Sequence, residues 1–180
     1  NNGELRDFEA PKIEEYLDKR AHDTFHVSTL TPDDFRDTRQ RGVLGMVPGE
    51  IITTDNGYAD HVDLEKDILK IAVVERHKGT HHIGLGYIQG YGLKSGAVAT
   101  SISHDSHNII VVGTNSADMA FAANYIVEHH GGIVVVENGV VKGSVVLEIA
   151  GIMSDRPLTE VNDQLEAAKA AAFELGVSRG

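Results

Sequence analysis

Gly96-Ala-Val-Ala-Thr-Ser-Ile-Ser-His-Asp-Ser-His-Asn-Ile-Ile-Val-Val-Gly113 decides how the rest of the chain is read. It predicts a strand, a short polar loop and a second strand. Ala97, Val98, Ala99 and Ile102 give the first strand a small, apolar character. Ile109 to Val112 is wholly apolar and β-branched, which suits a strand buried on both faces. Between them lie His104, Asp105, Ser106, His107 and Asn108. Five consecutive polar residues beside a core are costly unless each finds a partner. Such a segment serves binding or catalysis, or stabilises an unusual turn.

Working outward, Ile68–Glu75 predicts another buried strand. Ile83–Tyr91 predicts a strand carrying Gly84, Gly86 and Gly90, so it is either bulged or pressed against another backbone or a ligand. On the other side, Asn115 and its neighbours offer caps for a helix to about His129, ended by Gly131-Gly132. Ile133–Glu137 and Val140–Ile149 flank Asn138-Gly139, a strong hairpin signal, with a bulge or bend at Gly143. Leu158–Leu175 is a helix closed by Gly176. Upstream, Asn1–Phe8 is a frayed end and Ile13–Lys19 one or two helical turns. Thr24–Leu30 alternates like a strand, and Thr31-Pro32-Asp33-Asp34 starts a helix or turn. Val43–Thr54 is a strand broken at Pro48-Gly49, followed by a turn at Asn56-Gly57. Interleaved strands and helices with short connections predict an α/β (α+β) fold. Mixed β-sheets with flanking helices would form a sandwich-like single domain over 25–180, after a lead-in over 1–24.

Composition narrows the function. A formal net charge of −11 opposes broad contact with nucleic acid or an anionic membrane. No cysteine is present, so thiolate chemistry is excluded, which fits a reducing compartment. No apolar run reaches the roughly 20 residues of a membrane span, and the acidic first residues are unlike a signal peptide. The start without methionine and the end at Gly180 lead us to expect a piece of a longer chain.

The ten histidines concentrate in a few places. His104, Asp105 and His107 are candidates for proton transfer, or the histidines for metal binding. They read equally well as a loop whose Asp105 and Asn108 bond its own backbone. Arg76, His77, Lys78, His81 and His82 form a second polar cluster, able to close over an anion or a polar ring but read first as a solvated loop. His129-His130 sits at a helix C-terminus and reads as structural, as do the isolated His22, His26 and His61. The glycines between Gly84 and Gly92 do not form a dinucleotide fingerprint. Glu50, just after a sharp bend, is either a polar anchor or a solvated strand residue.

Six segments together resemble one family. They are Val47-Pro-Gly-Glu-Ile-Ile-Thr53, Lys70-Ile-Ala-Val-Val-Glu-Arg-His77, Ile83-Gly-Leu-Gly-Tyr-Ile-Gln-Gly-Tyr-Gly-Leu93 and Ser103-His-Asp-Ser-His-Asn-Ile-Ile-Val-Val-Gly113. Gly131-Gly-Ile-Val-Val-Val136 and Ala150-Gly-Ile-Met-Ser-Asp155 continue in the same order. The pattern resembles the C-terminal domain of prokaryotic adenine deaminases, of the amidohydrolase superfamily. The resemblance implies a cytoplasmic purine-salvage enzyme that hydrolyses adenine to hypoxanthine and ammonia with manganese or iron, and a homo-oligomeric parent. The metal ligands of that family lie in a barrel preceding this domain, beginning with a His-x-His pair that this sequence lacks. It therefore implies a fragment that binds no metal, is inactive alone and has the missing barrel as its partner. Within it, His104, Asp105 and His107 are the catalytic candidates, and Ser103, Asn108 and His77 the purine-binding ones. Two other readings stand beside this one. The first is a non-catalytic packing or oligomerisation module whose polar loop braces an interface. The second is an autonomous metal site built from His104, His107 and the His81-His82 pair.

Overall fold

The computed structural model describes residues 12–50 and 52–178. The frayed end expected over Asn1–Phe8 lies outside them. The chain forms one eight-stranded mixed sheet with three flanking α-helices, as the strand-rich interleaving predicts. In chain order these are α1 (Glu15–His22), β1 (Arg41–Met46), β2 (Thr53–Ala59), β3 (Ile68–Val74), β4 (Ile83–Gln89), β5 (Ala97–Thr100), β6 (Ile109–Gly113), α2 (Ser116–Glu128), β7 (Gly132–Glu137), β8 (Val140–Val146) and α3 (Leu158–Glu174). The spatial order is β2-β1-β4-β3-β6-β5-β7-β8. Only β1 and β4 run parallel among the paired strands described.

Alternation along the strands divides two cores. Ala72, Val74, Ala99, Ile109 and Val111 face the side covered by α2, where Met119, Ala123 and Ile126 complete a fully buried cluster. On the opposite face α3 packs Val161, Leu165 and Ala168 against Ile133 and Val145. A third cluster, around Leu69, Leu93 and Val112, lies on that second face against Leu175 and Val177. α2 begins as its sequence demands: Asn115 Oδ1 accepts the Asp118 backbone N–H at 2.8 Å. The β7–β8 hairpin turns at Asn138 and Gly139, with φ of 53° and 70°, the left-handed pair that a two-residue turn needs. A bulge precedes Gly143, since Val135 pairs with Gly143 but Val136 with Val141.

Two expectations are corrected, and of two alternatives for a third element one is removed. Thr24–Leu30 is not a strand. Phe25 and Leu30 are buried as the alternation predicts, but no neighbouring strand supplies a ladder. Instead the Asn124 side chain accepts from Leu30 N at 2.9 Å and donates to Leu30 O at 2.8 Å. Asn56-Gly57 is not a turn but a bulge inside β2. Gly42 pairs with Tyr58 and Leu44 with Asp55, leaving two residues opposite Val43, and Gly57 takes a φ of 83°. The glycine-bearing β4 is not bulged. Its register with β3 runs unbroken from Ile68↔Gln89 to Val74↔Ile83.

Candidate functional site

One end of the sheet gathers the polar segments. Val74 pairs with Ile109, so the β3–β4 connection and the β5–β6 loop leave the sheet side by side. The β5–β6 loop is pinned at its base. Ser101 is fully buried, and its backbone N–H and its hydroxyl bond Gly132 O and Gly151 O, at 3.0 and 2.5 Å. It also accepts the Gly132 N–H at 2.8 Å. A tight turn follows, closed by His107 N donating to Ser103 O at 2.9 Å. Asp105 and His107 both hold positive φ, 67° and 48°, a conformation uncommon for residues with a Cβ.

Arg76 fixes this turn from beneath. The polar sequence around it predicts a solvated loop, yet it is 2 % exposed. Its Nε donates to His107 O at 2.5 Å, Nη1 to Thr24 O and Oγ1 at 3.0 and 2.9 Å, and Nη2 to Ala150 O at 2.9 Å. Its guanidinium lies 4.2 Å from the centre of the Phe25 ring. Burial lowers its pKa from the ordinary arginine value. Its partners are neutral oxygens, so the fork reads backbone geometry and joins three loops to the sheet.

The remaining candidates divide by exposure. His104 and Asp105 pair at 3.1 Å with side chains 96 % and 90 % exposed. His77 joins them, its Nε2 donating to Ser106 O at 2.9 Å. Ser103 turns inward at 7 % exposure, its hydroxyl 3.5 Å from that of Ser106. His107 and Asn108 are half-buried, and among the described residues His107 Nδ1 and Asn108 Oδ1 are buried without a partner. Glu75, at the root of the neighbouring loop, is desolvated, which acts to raise its pKa. The Thr80 hydroxyl and the backbone N–H groups of Lys78, His77 and Thr80 outweigh that and hold it down at about 2.

Other histidines play different parts. His81 is held between the Ser28 hydroxyl, 2.9 Å from Nδ1, and the Asp34 carboxylate, 3.0 Å from Nε2. That engagement takes it away from His104 and His107. Among the described residues no three His, Asp or Glu side chains are placed to share a metal ion, so the autonomous metal site has no donor set there. His129 is structural as expected, stacked on Tyr125 at 3.9 Å and donating to its carbonyl. His22 and His26 lie far from His77 and His130 in the chain, but the fold brings all four to the walls of one open groove of about 710 Å³. Glu50 borders a different groove, on the open face of the sheet, with Ile71, Ile88 and Val98.

A single mixed α/β sheet presenting a clamped polar loop at one end defines this chain as a single-domain module. The family model described as the adenine deaminase C-terminal domain matches residues 49–179, and the chain belongs to that family. Adenine deaminase 1 of Rhizobium meliloti is 46 % identical over 146 residues, 77 % of this chain and 26 % of its own length. The adenine deaminase of Brucella anthropi is 46 % identical over 159 residues, covering 83 % and 28 % respectively. That of Bacillus licheniformis is 43 % identical over 163 residues, covering 85 % and 28 %. The chain thus spans about a quarter of the length of the curated relatives it matches. Among the described residues no helix is long and apolar enough to cross a membrane.

Proposed function

We propose that this chain is one domain of a metal-dependent adenine deaminase, a cytoplasmic purine-salvage hydrolase that converts adenine and water to hypoxanthine and ammonia. The domain packs on an amidohydrolase barrel, and its 103–108 loop completes the purine site. The observation that carries the reading is the loop's construction. Arg76, His77 and Ser101 clamp its backbone, while His104 and Asp105 project away from the domain. Rigid backbone under outward polar side chains suits recognition of a flat heteroaromatic ring with several donors and acceptors.

In this reading iron or manganese belongs to the barrel, where it supplies an activated water. This chain's residues act on the purine itself. In this reading His104 and His107 exchange protons or hydrogen bonds with its ring nitrogens. Asp105 orients His104, and Asn108 offers an amide able to donate and accept. The parent is a homo-oligomer, and the 180-residue chain alone does not deaminate adenine.

The test is turnover of the full-length enzyme carrying His104→Ala, Asp105→Ala or His107→Ala. At least one substitution is expected to lower kcat/KM for adenine about 10–100-fold, the usual effect of losing a group that orients a site. Wild-type turnover and affinity in all three would assign the loop to bracing an interface.

A further inference from the structure

The second face of the sheet is covered unevenly. α3 lies over β7 and β8, and Leu93, Leu175 and Val177 lie over the Leu69 end. The quadrant nearest the 101–108 loop carries neither. Register places Gly84, Val73, Ile110 and Thr100 in one row across β4, β3, β6 and β5. The next row is Gly86, Ile71, Val112 and Val98. Val73 is 37 % exposed and Ile102, next to Thr100, 48 %. An apolar groove of about 360 Å³ is lined by Thr100, Ile110, Ile71, Val112 and Val98 from these rows and extends toward Met46 and Ile52.

The glycines in these rows differ from another glycine on the same face. Gly143 is explained by α3: a Cβ there would lie 2.8 Å from Ala168 Cα. Gly84 has no such neighbour; a Cβ would meet only Val73 O at 4.0 Å. At Gly86 the nearest atoms would be at 3.6 and 3.7 Å, ordinary contact distances. Neither has positive φ, and β4 carries no bulge. Nothing within the described chain therefore requires either glycine, although glycine weakens a strand interior. Among the described residues neither α3 nor the C-terminal Leu175 and Val177 covers this quadrant, and the curated relatives have about three quarters of their length outside the matched region.

We infer that an apolar element from the part of the longer protein outside this chain packs on the Gly84–Val73–Ile110 quadrant, approaching the backbone at Gly84 and Gly86 as α3 does at Gly143. This rests on the reading of the chain as one domain of a longer protein, and it names the surface that joins them. Because the quadrant adjoins the 101–108 loop, the same contact sets the loop against its partner domain.

The experiment compares Gly84→Leu, Gly86→Leu and Val73→Gln in the 180-residue chain and in the full-length protein. In the 180-residue chain the two glycine variants are expected to melt at or slightly above the wild-type temperature. In the full-length protein all three are expected to lower the melting temperature by about 4 °C or more, or turnover about tenfold. Full-length variants indistinguishable from wild type would overturn the inference. So would a dimer of the 180-residue chain that Gly84→Leu dissociates, since a second copy would then be the occupant. If a glycine variant destabilises the short chain, the comparison is read from Val73→Gln, which leaves the backbone unchanged. Harmless His104, Asp105 and His107 variants beside damaging Gly84→Leu would remove the purine-site reading and keep this interface; the converse would do the opposite.

Discussion

Arg76 Nε donates to His107 O at 2.5 Å, joining the end of β3 to the left-handed turn that precedes β6. The bond ties a buried cation to the backbone of the candidate site rather than to any side chain. Its placement makes the turn's conformation depend on a residue 31 positions earlier.

Arg76→Leu removes the donors to three carbonyl oxygens, of Thr24, Ala150 and His107. Leaving buried acceptors unpaired costs about 1–3 kcal/mol each before relaxation. The net loss is expected to be about 3 kcal/mol, or roughly 6–12 °C in melting temperature for a domain of this size. Arg76→Lys keeps the charge but loses the planar fork, so it is expected to recover less than half of that loss. Thermal unfolding by circular dichroism measures both. A lysine variant as stable as wild type would show that charge, rather than fork geometry, holds the loops.

Glu75 gives the fold an acid-sensitive tie between β3 and the β3–β4 loop. Its Oε1 accepts from His77 N and Lys78 N at 2.6 and 2.9 Å, and its Oε2 from the Thr80 hydroxyl at 2.8 Å. The folded carboxyl titrates at about 2 against an ordinary value of 4.5, so the unfolded chain takes up the proton first as pH falls. The group's contribution is therefore complete above about pH 4.5 and is lost progressively toward pH 2. Glu75→Gln has no such proton to gain. The stability difference between wild type and variant is expected to shrink through that window and stay constant above it. Chemical denaturation across the pH range measures it, and a difference independent of pH would rule out this account.

What could be read from sequence was mainly local. The Asn138-Gly139 hairpin, the Asn115 cap and the strands from Ile68 and Ile109 depend on neighbours in the chain, and all appear in the fold. The polar loop was visible because charge interrupts two apolar runs. Contacts between distant residues were not visible. Thr24–Leu30 has the alternation of a strand, but the side chain of Asn124, 94 residues from Leu30, meets its backbone. Asn56-Gly57 has the composition of a turn, but opposite β1 its left-handed glycine serves a bulge instead. Arg76 sits among polar residues in sequence, a setting that predicts solvation. Its burial follows from three loops converging at one sheet end, which no local pattern encodes.

Asp118 offers a test of how the second half of the fold is held. It is 3 % exposed, and its carboxylate reaches beyond its own helix. Oδ1 accepts from Gly139 N at 2.8 Å; Oδ2 accepts from Asn138 N at 3.1 Å and Asn115 Nδ2 at 2.9 Å. One carboxylate thus ties the first turn of α2 to the β7–β8 turn while Asn115 caps the same helix. Hydrogen bonds to a charged group contribute about 1.5–3 kcal/mol, but Asn138 and Gly139 are exposed enough for water to replace part of the loss. Asp118→Ala is expected to cost about 2 kcal/mol and to speed amide exchange at Asn138 and Gly139. Asp118→Asn retains one acceptor oxygen but turns an amide donor toward the other N–H groups, so it is expected to recover little. Asn115→Ala removes the cap and one of the same bonds. The double variant should therefore lose less than the two single losses added together, by about 0.5 kcal/mol or more. Denaturation of the four proteins measures the coupling. Strict additivity would mean that Asp118 holds the hairpin independently of the cap.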